Sequence, residues 1–526
     1  MSALTHLGSG LEAALTLTNL VWVTAGVILG TVVGILPGLG SPAAVIAILL
    51  PLTISLPPAT GLIFMAGLYH GSKFAGSTTA ILLNIPTETS SIVLCLDGHP
   101  LAKRGRAGAA MGMSAISGFI ASTVGVLALT FSAPVAARVA LSFEPPEFTA
   151  LMVFGLVLVI VMASESALKG FISMTIGLLL STVGLDIFSN ATRYTFGNVN
   201  LDNGIQFLTL SVGLFAVGEV LINIEKRYDT SIFKLPWGMR KLLPTKDDLK
   251  TCRAAIAIGS VVGFVIGAIP GGGSTIGSFI SYNLVKSSSR NKSQFGKGAI
   301  EGVAGPEAAN NSEVGGAMIP LLSLGLPGNA STAVMLGALL LYGLQPGPLL
   351  FTSHPAIVWP VIASLYLGNF MLLILNLPLI PLWVQILRIP YWILYSSILV
   401  LAVVGAYSIR DSVFDVWMLI LFSALGYAIR KAKIPAAPLL MAFVLGSSFE
   451  SNLRLSMILS HNNPLIFVER PISASILAVI VILLGASAFS RQRRRGSAQV
   501  DGQEAQTEVR PQVGPVGSAG EATERK

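Results

Sequence analysis

The sequence predicts an all-α polytopic membrane protein, built as inverted repeats around Pro/Gly-broken helical hairpins. Three observations predict it. Of 526 residues, 53% are hydrophobic and only 11% charged, with a mean hydropathy of +0.76; a soluble protein carries about twice that charged fraction. Runs such as AGVILGTVVGIL, FTALMVFGLVLVIVMA and SILAVIVILLGASAF approach the ~20 residues that cross a bilayer as helix. Finally, GVILGTVVGILPGLGS at 26–41 recurs as GSVVGFVIGAIPGGGS at 259–274, with eight of the sixteen positions identical.

Along the chain, residues 1–19 form an N-terminal segment whose lack of Lys and Arg is unlike the charged start of a cleaved signal peptide. A first membrane repeat spans 20–224, with apolar segments near 20–36, 41–56, 58–70, 76–97, 107–130, 147–164, 167–185 and 204–224. A basic cytoplasmic linker follows at 225–252. The second repeat, with an extra C-terminal helix or helices, covers 253–490. Its segments lie near 254–270, 273–285, 314–343, 356–384, 391–408, 412–429, 435–448 and 471–490. The tail 491–526, rich in Gly, Ser, Gln and Glu, is expected to be disordered. Short pieces such as 273–285 read better as half-helices or re-entrant hairpins than as full crossings.

The net charge of +8 does not call for a nucleic-acid partner. Lys and Arg cluster between spans, at 103–106, 226–253, 286–297, 430–433 and 491–495, as they do in cytoplasmic loops. Counting spans between these clusters lets all of them, and the C-terminus, face the cytoplasm. The block after the first repeat's hairpin is basic, whereas its counterpart YGLQPGPLLFTSHP at 342–355 has no Lys or Arg and falls on the other side. The same pattern would then run in opposite directions across the bilayer, the signature of secondary transporters. The loops expected outside, 131–146, 186–203 and 449–470, are too short for a binding domain of ~100 residues. Arg193, Asp202, Arg410, Asp411, Glu450 and Arg454 are their candidate docking charges, or ordinary solvated ones.

Gly26, Gly30 and Gly34, like Gly259, Gly263 and Gly267, line one helix face and permit close backbone packing in lipid. The Pro-Gly endings differ. Pro37, Gly38, Gly40 and Ser41, and Pro270, Gly271, Gly273 and Ser274, end a helix and free backbone groups that need protein, water or ligand partners at membrane depth. A second paired block places GSTTAILLNIPTETSS (76–91) against VGGAMIPLLSLGLPGNAST (314–332). Aligning Pro86 with Pro327 sets Thr87, Glu88, Thr89, Ser90 and Ser91 against Gly328, Asn329, Ala330, Ser331 and Thr332. Each break would aim a new helix N-terminus at a carboxylate and expose carbonyls suited to a cation, so Na⁺ is placed near the breaks at Pro37, Pro86, Pro270 and Pro327.

Glu88 is an intramembrane acid, hence a functional candidate, or else a helix cap. Thr78, Thr79 and Asn84 either donate inward or satisfy neighbouring backbone. Lys73, in LYHGSKFAGS, reads as a wet helix end rather than a substrate contact. The polar stretch GPEAANNSEVGG (305–316) offers Glu307, Asn310 and Asn311 either at the site's entrance or in a solvated linker. Glu144, Glu147, Asp186, Glu219, Asp411 and Glu450 fall at predicted helix ends, as caps or interface residues. The two cysteines, Cys95 and Cys252, suggest no disulfide framework. No nucleophile elbow, HExxH or P-loop supports an enzyme.

The series ILPGLG, STTAILLNIPTETSS, LDGHPLAKRGRAG, EPPEF, AIPGGGST, GPEAANNSEVGGAMIPLLSLGLPGNASTAVMLGAL and GLQPGP resembles the large membrane subunit of tripartite tricarboxylate transporters, the TctA family, over roughly residues 20–490. The resemblance implies a bacterial inner-membrane importer of tricarboxylates or other small carboxylates. It also implies a small membrane partner (TctB-like), a periplasmic binding protein (TctC-like), and a Na⁺ or H⁺ gradient in place of ATP or any cofactor. Two stretches depart from the family pattern: Thr87 stands where the family usually has Gly, and Gly71–Gly76 lacks its paired glycines. A stand-alone carboxylate transporter and a channel are the alternatives.

Overall fold

A computed structural model of the chain describes residues 3–36, 41–163, 166–225, 242–386 and 391–485. Pro37, Gly38 and Gly40, most of the basic linker and the tail after 491 lie outside the described residues. The described chain is almost entirely helical. Among the described residues six helices are long and apolar enough to cross a membrane, and exposed helix surface is strongly apolar, as at Trp392, Trp417, Ile420 and Val481.

In order, the helices are α1 (Ala3–Ala14), α2 (Leu17–Gly34), α3 (Pro42–Leu49), α4 (Pro58–Leu83), α5 (Ile92–Leu101) and α6 (Ala107–Ala140). Then come α7 (Pro145–Ala163), α8 (Ala167–Ser181) and α9 (Phe207–Ile224). After the linker stand α10 (Lys246–Gly267), α11 (Gly273–Ser288), α12 (Glu301–Ile319) and α13 (Ala330–Leu341). The chain continues with α14 (Pro355–Ile386), α15 (Tyr391–Tyr407), α16 (Val413–Lys431), α17 (Ala436–Leu459) and α18 (Pro471–Gly485). Two-residue strands β1 (Gly184–Leu185) and β2 (Thr192–Arg193) pair antiparallel, Gly184 opposite Arg193.

Several expected boundaries move. The segments 58–70 and 76–97 are not separate: α4 runs straight through Gly71–Gly76, and the break comes later, at 84–88. The expected outer loops 131–146 and 449–470 are mostly helix, because α6 extends to Ala140 and α17 to Leu459. The stretch 305–316 is no solvated linker. It is the middle of α12, where every residue is buried.

The glycine stripes explain how the helices pair. α2 packs on α4, and α10 packs on α12. A Cβ on Gly30 would lie 2.5 Å from the Leu68 carbonyl oxygen, and one on Gly263 would lie 2.2 Å from that of Ala309. Gly26, Gly259 and Gly267 meet facing backbone in the same way, and Gly34 meets Ser72 and Ala75. Such small surfaces let van der Waals packing join helices where lipid supplies no hydrophobic drive. The next helices cross over: α6, from the first half, lies along α12, and α14, from the second, lies along α4. The halves are thereby interleaved.

Each half-helix after a break is also fastened to the opposite half. On α5, Asp97 accepts hydrogen bonds from the Gly298 and Ala299 amides (2.8 and 2.9 Å) and the Tyr282 hydroxyl (2.9 Å). After α13, the Tyr342 hydroxyl donates to the Thr53 carbonyl at 2.7 Å. Both side chains fill the space above a glycine. A Cβ on Gly302 would strike Asp97, and one on Gly61 would strike Tyr342. These glycines are 241 residues apart.

Three of the six candidate docking charges, Arg193, Glu450 and Arg454, engage one another. Arg193 pairs with Glu450 (2.7 Å) and Arg454 with Asp186 (2.8 Å) and Glu450 (2.6 Å), tying the β1–β2 hairpin to α17. Arg410 donates to the Asn200 carbonyl at 3.1 Å. The Ser189 and Phe188 amides, with Arg454 beside them, hold the Asp186 carboxyl down to about 2. Glu147, at the start of α7, accepts from the Glu144 amide (3.0 Å), a cap as expected.

Candidate functional site

The two breaks are built alike. α4 ends on Asn84 in the left-handed conformation (φ 58°), and α12, after a wide final turn at Pro320–Leu324, ends on Gly325 (φ 69°). Asn tolerates this region and Gly suffers no Cβ clash there. A proline, Pro86 or Pro327, then prevents the helix from resuming. Two residues on, Glu88 and Asn329 precede the next helical turn. The Asn329 side chain accepts from the Thr332 amide at 2.9 Å, and its own amide donates to the Thr332 hydroxyl at 2.9 Å. At the first break the Glu88 amide donates to Ser91 at 3.4 Å, and the Glu88 carboxylate also reaches inward.

It faces Lys73. The expectation that Lys73 marks a wet helix end is overturned: its side chain is 3% exposed, in the middle of α4. Its ammonium donates to Ser274 Oγ (2.8 Å) and Asn310 Oδ1 (3.1 Å). It lies 3.6 Å from both Glu88 Oε2 and Glu313 Oε2, and 5.6 Å from the centre of the Tyr69 ring. Asn310 Nδ2 donates to Glu88 Oε1 at 3.1 Å. Asn329 Nδ2 reaches Glu313 Oε1 (2.5 Å) and the Tyr69 hydroxyl (2.6 Å), and Tyr69 donates to Glu313 Oε2 at 3.1 Å. One lysine, two carboxylates and neutral donors from both halves thus form one connected, largely buried network.

Of the residues singled out from the sequence, Glu88, Ser274, Asn310 and Asn329 meet here, with Thr332 supporting Asn329. Within the second half, the ending at Pro270 touches the break at Pro327: the Gly271 amide, at φ 79°, donates to the Gly328 carbonyl at 2.8 Å. Beside them Gly273 also has positive φ (59°). Thr89 and Thr275 share a 2.6 Å hydrogen bond at the exposed rim. Asn311 turns away from Lys73 and donates to Glu307 Oε1 at 2.9 Å. Thr79 bonds the Gly76 carbonyl of its own helix. Asn84 is exposed, an end cap and not an inward donor. Thr78, Thr87 and Ser90 are buried with unpartnered hydroxyls. Ser331 is buried, and Ser41 caps α3 without a side-chain bond.

Tyr69 and Glu313 were missed, and Lys73 discounted. A signal existed: Tyr69 and Lys73 stand four apart, and Asn310 and Glu313 three apart, so each pair shares a helix face. Glu88 and Glu313 are the two carboxylates of this network, and among the described residues no group of three or more His, Cys, Asp or Glu side chains is placed to hold a metal ion. A cavity of about 650 Å³ opens beside the second break, lined by Leu324, Gly325, Pro346, Phe148, Ser448 and Asn452; none of the Lys73 network's side chains lines it.

Residues 20–441 match the family model of the Tripartite tricarboxylate transporter TctA family. The chain is 44% identical to an uncharacterized 52.8 kDa protein in the TAR-I ttuC' 3' region of Agrobacterium vitis, over 94% of this chain and 98% of that one. It is 45% identical to an uncharacterized protein in the TAR-II ttuC' 3' region of the same organism, over 44% of this chain and 97% of that one. No solved structure matches.

Proposed function

The chain belongs to the tripartite tricarboxylate transporter TctA family, and from that premise we propose that it is an ion-coupled subunit importing tricarboxylates or other small carboxylates across a bacterial inner membrane. The observation that carries this reading is Lys73, buried and held between Glu88 and Glu313 where the two broken hairpins meet. A lone lysine at membrane depth is expensive unless paired. With both carboxylates ionised, the trio carries one net negative charge, which repels an anionic substrate. A coupled cation, Na⁺ or H⁺, that neutralises Glu88 or Glu313 releases Lys73 to bind a substrate carboxylate. Binding of cation and anion is then mutually dependent, as symport requires.

The matching breaks, glycine-stripe pairings and crossed packing support an inverted repeat. Single cysteines at 102 and 352, in a background lacking Cys95 and Cys252, should then be labelled from opposite sides of the membrane; labelling from one side contradicts it. A TctB-like membrane partner and a TctC-like periplasmic protein complete the assembly in this reading. The test is uptake into vesicles containing the full-length chain and its small membrane partner. Acetate, malate and citrate are supplied as probes, with and without a sodium gradient, a pH gradient and the binding protein. Saturable, gradient-dependent accumulation that needs the binding protein is expected. Full uptake by the large subunit alone supports a stand-alone transporter, and non-saturating flux supports a channel.

A further inference from the structure

Several buried acids stand outside the Lys73 network, Asp97, Glu147 and Asp415 among them, and one more lies on the helix that carries Asn310 and Glu313. Glu307 on α12 is 0% exposed. Its Oε1 accepts from Asn311 Nδ2 at 2.9 Å, and its Oε2 has no hydrogen-bond partner. Ser114 of α6 faces it, and Glu88 and Lys73 are the nearby charges. Lys73 is already shared between two carboxylates, so no cation is left for a third.

The other neighbours offer no counter-charge. α6 has no titratable residue before Arg138, and α10 has none between 254 and 267. On α5, Asp97 is bound to Gly298, Ala299 and Tyr282 of the opposite half, His99 meets the Ile81 carbonyl, and Cys95 turns back to Ser91. α11 presents Tyr282, which is engaged with Asp97, and the exposed Lys286. On α4, His70 lies against Gly368 of α14, and Tyr69 is engaged with Glu313. The break before α5 contributes only Glu88, itself an acid.

We propose that Glu307 is a proton-binding site distinct from the Lys73 network, protonated in this close packing of α6 on α12 and ionised when water enters between them. A carboxylate in a dry site with one oxygen unpaired is strongly disfavoured against its neutral form. A neutral carboxyl can place its O–H on Oε2, toward Ser114. Any movement that admits water reverses the preference, so the side chain would take up a proton on one side and release it on the other. This rests on the transport reading, and the proton is a second coupled ion beside the one at Glu88 and Glu313.

The decisive measurement needs no substrate. Infrared spectra of the purified full-length chain at neutral pH should show a protonated-carboxyl C=O band that E307Q removes and S114A shifts in frequency. No band difference in either variant overturns the proposal. In vesicles, whichever of acetate, malate or citrate exchanges should still exchange in E307Q. A gradient of one pH unit should support about tenfold accumulation per coupled proton in the native chain, and E307Q should lose that increment. Unchanged pH-driven accumulation in E307Q overturns the proposal. If the native chain exchanges none of the probes, the transport reading fails while the infrared result still decides the state of Glu307.

Discussion

The two breaks share a backbone and differ in chemistry. At the first, Asn84, Pro86 and Thr89 are exposed and the residue before the new helix is the acid Glu88. At the second, Leu326, Pro327 and Gly328 are buried, and the equivalent Asn329 is neutral and held by Thr332. The same asymmetry marks the two fastenings. Asp97 accepts three hydrogen bonds as a carboxylate; Tyr342 makes one as a neutral hydroxyl. Repetition supplies the frame, and its departures from symmetry supply the chemistry. The first break carries charge and meets solvent, while the second holds the network in place.

The sharpest way to break this comparison is to remove the charge at its centre. Lys73→Met leaves Glu88 and Glu313 buried without a cation, and loss of one partner from a buried pair costs about 3–5 kcal/mol. We expect the purified variant to unfold at markedly lower temperature. Adding Glu88→Gln should recover part of that loss without restoring transport. If Lys73→Met alone keeps native thermal stability, the network does not hold the charges as described.

Next come the stripes. Gly263→Ala and Gly30→Ala would each push a Cβ against a facing carbonyl, and overpacking of this kind costs about 1–3 kcal/mol. Equal losses would support equivalent roles; a large loss in one only would show that the halves do not pack alike.

The fastenings should differ more gently. Asp97→Asn weakens hydrogen bonds to a charged group, each worth about 1.5–3 kcal/mol, whereas Tyr342→Phe loses one neutral bond worth about 1 kcal/mol. Hydrogen exchange should therefore rise more around 298–300 in the first variant than around 53 in the second. The reverse order would contradict the proposed imbalance.

The smallest effect concerns the outer ion pairs. Asp186, held down to about 2, contributes stability that is complete above about pH 4, the ordinary carboxylate value, and is lost only as the pH falls toward 2. Protection of the β1–β2 hairpin should be flat between pH 5 and 8. A change within that window would mean that Asp186 is not so held.

Much of this was legible in the sequence. Helical class follows from apolar run lengths, and the paired breaks at 84–88 and 325–329 follow from a proline and small polar residues set between apolar runs. Membership of the site was only half legible. Glu88 and Asn329 stand at visible breaks, but Lys73 lies in a helix whose continuity through Gly71–Gly76 is maintained by tertiary packing, which overrides the local glycine signal. The burial of 305–316 was hidden for the opposite reason. Its polar composition resembles a loop, and the small surfaces of α6, pressed against Asn311 and Ser312, and of α10, pressed against Gly305 and Ala309, help make a buried helix of it. The outer loops shrank because Pro134 and Glu450, which read as loop residues, are accommodated within helices.

The central claim is that a cation neutralising the acids of the Lys73 network frees that lysine for a substrate carboxylate. Its most direct test is the affinity of the purified full-length chain for the probe that exchanges, measured by calorimetry against sodium concentration and against pH. In the native chain affinity should rise steeply with one of these cations, and in Glu88→Gln that dependence should flatten while binding persists. An identical dependence in both proteins would contradict the account.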